Sequence, residues 1–154
     1  MGIFRRLFGG DEGRRDPMRP QRLDYLNEAL ALERQGDFDA AIVSYRLALR
    51  DHPSDPRILQ NLAIALSRTG KLEDAIRHYR RALDLDPMLA GAHYGLAFLL
   101  LRRGEQTGAL KHLRAFLDNP PRGPEGQRWI EHAGSALQSL EGMPPPAAAG
   151  MEGA

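Results

Sequence analysis

The stretch Gly70–Pro87, GKLEDAIRHYRRALDLDP, recurs in altered form 34 residues away on either side. Upstream, Gly36–Pro53 reads GDFDAAIVSYRLALRDHP, and downstream Gly104–Pro121 reads GEQTGALKHLRAFLDNPP. Glycine opens each copy, proline closes it, and alanine stands at Ala41, Ala75 and Ala109. Between the breakers, apolar residues fall at helical spacing, as in Ala41, Ile42, Tyr45, Ala48 and Leu49. A strict 34-residue period with one helix after each glycine predicts stacked helical hairpins.

The segments before each glycine supply the other half of each hairpin. Leu23, Leu26, Ala29, Leu30 and Leu32 mark a helix from Gln21 to Gln35. Pro56 opens the second through Leu59, Leu62, Ala63 and Leu66, and the third runs from Ala90 to Arg103. Small residues occur where two helices of a hairpin cross: Ala29, Ala63 and Ala97 on one, Ala41, Ala75 and Ala109 on the other. Only small side chains let backbones approach there, so the spacing has a packing reason.

With these residues the chain resembles the tetratricopeptide repeat family, three repeats spanning 22–55, 56–89 and 90–123. Phe38, Tyr45 and Tyr79 fill the family's large positions. The resemblance implies an all-α, right-handed solenoid whose first helices line a concave groove, with no catalytic residues and no cofactor. The third copy departs from the pattern, with Gln106 where Phe38 and Leu72 stand and Phe116 where Ala48 and Ala82 stand. A bulky residue there predicts an outer neighbour other than a further hairpin. Residues 124–141 offer a capping helix with Trp129, Ile130, Ala133, Leu137 and Leu140 on one face, and Trp129 reads as a capping contact rather than a ligand anchor.

The family's groove-facing positions, carried onto this sequence, are Leu26, Asn27, Leu30 and Arg34 in the first repeat. The second contributes Gln60, Asn61, Ile64 and Arg68, and the third Tyr94, Gly95, Phe98 and Arg102. They form an apolar ladder of Leu30, Ile64 and Phe98 and a cationic ladder of Arg34, Arg68 and Arg102. Such a surface suits a partner peptide or amphipathic helix with acidic residues along one edge. One subgroup of the family grips chaperone C-terminal carboxylates with paired basic and asparagine side chains. Only Asn61 matches that clamp, whose other places hold Leu26, Leu30, Gly91 and Gly95, which argues against that ligand. Gly91 and Gly95 each weaken a helix by about 1 kcal/mol relative to alanine, and are expected to clear room on the groove wall for a ligand backbone or a bulky side chain.

Composition limits the alternatives. Twenty-one basic and 20 acidic residues leave +1, which argues against a nucleic-acid binder. Residues 1–22 nevertheless carry six arginines against three acids. Cysteine is absent, so disulfides and thiolate metal sites are excluded. His78 and His112, at equivalent places 34 residues apart, are expected to approach each other, but two imidazoles make a poor metal site. No Ser/His/Asp set or phosphate-cradling glycine loop is present, and the chain reads as a non-enzyme. Arginine and alanine richness points to a GC-rich, bacterial coding bias, and the absence of a signal or membrane span points to the cytoplasm.

The ends differ from the repeats. Residues 1–10, MGIFRRLFGG, put Ile3, Phe4, Leu7 and Phe8 on one side and Arg5 and Arg6 on the other. That pattern suits weak contact with the inner membrane surface, and makes a structural subunit or assembly factor of a membrane-associated complex the alternative to an adaptor. The same residues could instead fold back and occupy the groove. Residues 9–20 read as a linker within a basic segment 1–21, and the proline- and alanine-rich 142–154 as a disordered tail.

Overall fold

The computed structural model describes residues 24–142. They form seven helices: α1 (Tyr25–Arg34), α2 (Phe38–Asp51), α3 (Pro56–Arg68), α4 (Leu72–Leu85), α5 (Ala90–Arg102), α6 (Gln106–Asp118) and α7 (Pro124–Glu141). Among the described residues there is no strand. Each helix packs on its neighbours in the chain, and α3 also touches α5, so the first helices of the second and third hairpins stand side by side. The architecture is an all-α solenoid of three hairpins closed by a capping helix.

The three glycines that opened each copy make the turns. Gly36, Gly70 and Gly104 have φ of 80°, 78° and 82°, a left-handed conformation that a Cβ disfavours. After each glycine the next N–H reaches back into the preceding helix: Asp37 to the Leu32 carbonyl at 3.0 Å, Lys71 to Leu66 at 2.9 Å, Glu105 to Leu100 at 2.9 Å. Carbonyls otherwise left orphaned at a helix end are thereby satisfied. Helix starts are less regular. Asp24, Asp37 and Asp55 accept from backbone N–H groups of the first turns of α1, α2 and α3. Lys71 occupies the same place before α4 with no side-chain cap, and Glu73 and Asp74 favour that N-terminus by charge instead. The cap at Asp24 also starts α1 at Tyr25, later than the Gln21 that apolar spacing indicated.

Ala29, Ala41, Ala63, Ala75, Ala97 and Ala109 are all fully buried, as the close-crossing argument required. Around them Ile42, Tyr45, Leu59, Leu62, Leu66 and Ile76 form one continuous core, and Ala97, Leu113, Phe116 and Ala133 a second. Phe116 is fully buried, and Ile130, Leu137 and Leu140 of α7 pack against the cluster it belongs to. The bulk that marks the third copy as different is the seat of the cap. The segment with Ile3, Phe4, Leu7 and Phe8, the linker, and the tail beyond Gly142 lie outside the described residues.

Candidate functional site

The sequence-derived groove residues lie on α1, α3 and α5 and differ in how free they are. Leu26, Leu30 and Ile64 are partly buried against the first core, and Tyr94 and Phe98 against the second. Arg34, Arg68 and Arg102 close the last turns of their helices and are exposed. Arginine at a helix C-terminus is favoured by the dipole, which gives the cationic ladder a structural reason of its own. The middle rung is further tethered, since the Arg68 guanidinium lies 5.6 Å from the centre of the Phe38 ring. Asn27 is engaged at the cap, its amide nitrogen donating to Asp24 at 2.6 Å. Asn61 is half-buried, and the buried Oε1 of Gln60 has no hydrogen-bond partner among the described residues.

The two helix glycines have a cause internal to the chain. A Cβ built on Gly95 would lie within 3 Å of the Tyr79 ring and hydroxyl, and one on Gly91 would lie 2.7 Å from Gln60 Oε1. The bulky side chain that Gly95 accommodates is Tyr79, reaching across from α4. Glu33 was missed by the periodicity because it belongs to neither ladder. Its carboxylate accepts from the Tyr45 hydroxyl at 2.5 Å, tying α1 to α2. Burial first, then the bond to Glu33, pushes the Tyr45 hydroxyl far above the usual phenol range; burial and then Glu33 do the same to Tyr79.

At the far end, α7 lays rings over the groove. His132 stacks on Phe98 with centroids 4.5 Å apart and planes at 6°, and Trp129 stacks on Tyr94 at 5.3 Å and 19°. Tyr94 Oη and His132 Nδ1 are hydrogen-bonded at 2.6 Å. Trp129 caps, yet it remains 46% exposed. With Tyr94, Glu125, Arg128 and His132 it lines a cavity of about 420 Å³. The indole is a capping contact, as the sequence reading had it, and one that keeps part of its surface in solvent.

The histidine pairing differs from expectation. His78 Nδ1 meets the Asp74 carbonyl of its own helix at 2.7 Å, while His112 meets His93 across the third hairpin, Nδ1 to Nδ1 at 2.9 Å. Packing of α5 on α6 sets this pair, a relation that the 34-residue register cannot express. His93 Nε2 lies 2.7 Å from the Pro87 carbonyl, which can only accept, so neutral His93 must receive its Nδ1 bond from His112. Burial, then His93, Lys111 and Arg80, lower the His112 pKa to about 4. Among the described residues no group of three His, Cys, Asp or Glu is placed to hold a metal ion, and no helix is long and apolar enough to cross a membrane.

The sequence profile of the Tetratricopeptide repeat family matches residues 26–87 and, overlapping, 61–124. The chain belongs to the tetratricopeptide repeat family. No curated protein matches it. Several solved structures share the fold of this repeat array. The Yersinia enterocolitica type III secretion chaperone SycD, in complex with a peptide of the translocator YopD, is 19% identical with a TM-score of 0.71, the match covering 76% of this chain and 89% of that one. The TPR2B domain of yeast Sti1, in complex with pHsp70, is 20% identical over 76% of this chain and 93% of that one, with a TM-score of 0.66. The first tetratricopeptide repeat domain of Spaghetti (RPAP3), bound to the HSP90 peptide SRMEEVD, is 21% identical over 74% and 93%, with a TM-score of 0.64.

Proposed function

We propose that this chain is a non-catalytic adaptor whose concave wall holds a peptide or helix of a partner protein. The observation that carries the reading is the half-buried apolar line of Leu30, Ile64 and Phe98 beside exposed Arg34 and Arg102. It offers contact area and a charged edge on one surface. Structures of the same fold in complex with partner peptides support it. The partner segment is apolar on one side and acidic on the other, oriented by the arginines. Aromatic area from Tyr94 and Trp129 extends the surface at its far end. No observation among the described residues favours the membrane-complex alternative.

The test is photocrosslinking in cells from a reactive residue at position 64, with position 46, exposed on α2, as control. One specific adduct from 64 and none from 46 is expected. Arg34→Glu with Arg102→Glu should lower its yield at least fivefold while leaving the helical signal unchanged. These arginines are chosen over Ile64 and Phe98 because the latter also pack on the cores. Equal yields from both positions, or indifference to the arginine reversals, refute the groove reading.

A further inference from the structure

A second concavity lies at the edge where the described chain begins, sharing only Leu26 with the groove positions. Its floor is apolar, made by Tyr25, Leu26, Ala48 and Ile58, and its rim carries Asp24, Asp51, His52 and Asp55; the volume is about 350 Å³. The depression continues over the α2–α3 turn past Pro53 and Pro56. Among the described residues none of these three carboxylates has an ion-pair partner, although other acids of the chain do. An apolar floor within a negative rim fits a short segment that is apolar on one side and cationic on the other.

The chain carries one such segment. Ile3, Phe4, Leu7 and Phe8 flank Arg5 and Arg6, and residues 1–22 hold six arginines against three acids, opposite in sign to the rim. We propose that residues 3–8 dock in this edge pocket, apolar side chains on Tyr25, Leu26 and Ile58, and Arg5 and Arg6 at Asp51 and Asp55. Charge directs them here rather than into the groove, whose Arg34, Arg68 and Arg102 repel Arg5 and Arg6. Length permits it. Fifteen residues, 9–23, separate Phe8 from Asp24, which is itself on the rim. A chain of that length spans about 20 Å at 5–6 Å times the square root of its residues. Tethering at that range gives an effective concentration in the mM regime, so a contact too weak to hold a free peptide holds this one. Docking keeps Phe4 and Phe8 out of water and, Leu26 apart, leaves the groove positions open to a partner.

The test places a photoreactive benzoylphenylalanine at position 8 of the full chain and maps its adducts by mass spectrometry. Adducts within 24–26 and 48–58 of the same molecule are expected. Asp51→Lys should cut their yield at least threefold. Asp51 ends α2 and caps no helix, so a lysine there suits the helix dipole and leaves the fold intact. Arg5→Asp in the Asp51→Lys background, with Arg6 left to face Asp55, should restore the yield. Adducts on Ile64 or Phe98, adducts only between molecules, or a yield unmoved by Asp51→Lys overturns the proposal.

Discussion

Replacing Gly95 by alanine tests whether the close approach of α4 and α5 is as tight as the structure shows. On propensity alone the change should stabilise α5 by about 1 kcal/mol. Against that stands Tyr79, only 4% exposed, with Cε1 2.9 Å from the added Cβ and Cζ and the hydroxyl closer still. An aromatic ring held in a core cannot swing aside as a lysine would, and overpacking of this kind costs about 1–3 kcal/mol. The net is a loss of about 1 kcal/mol. Gly134 provides the internal control, since it lies within α7 with nothing inside 4 Å of an added Cβ. The same substitution there should gain about 0.5–1 kcal/mol. Urea unfolding followed by circular dichroism reads both, with midpoints moving apart by roughly 1 M at an m of about 1–3 kcal/mol/M. If Gly95→Ala raises the midpoint as Gly134→Ala does, the packing argument fails.

Two further predictions concern pH. Tyr45 and Tyr79 are held protonated in the fold, so their contribution is complete below the unfolded phenol pKa of about 10 and is lost as pH rises beyond it. The urea midpoint should fall above pH 10, and Tyr45→Phe with Tyr79→Phe should flatten that fall; an unchanged alkaline slope would count against the burial of these hydroxyls. His112, with its pKa lowered to about 4, favours the neutral form in the fold, so stability is full above about 6.5 and declines as pH falls toward 4. His112→Gln should remove part of that acid slope, and a His112 imidazole titrating near 6.5 by NMR would refute the buried pair.

The legible part of the fold was what repeats. A 34-residue period reports contacts made three times over, which is why the turn glycines and crossing alanines fell where the sequence placed them. Contacts made once left no such trace. Tyr79 against Gly95 occurs between the second and third repeats alone, because the equivalent places are Tyr45 with Asn61. The ring stack of α7 on Tyr94 and Phe98 lies outside the register altogether. Its geometry depends on how a helix of different sequence seats on Phe116. The periodicity marked which helices carry the proposed wall. How tightly each side chain there is engaged depends on neighbours such as Asp24 at Asn27 and Phe38 at Arg68, invisible until the helices are packed.

Trp129 is the chain's single tryptophan. Because that indole is half-exposed and stacked on Tyr94, the native protein carries a built-in optical probe at the far end of the proposed binding wall. A ligand covering Tyr94 would dry the indole and shift its emission to the blue, whereas detachment of α7 would wet it and shift it to the red. Occupancy of the groove and opening of its cap are thus distinguishable by colour in the unlabelled protein.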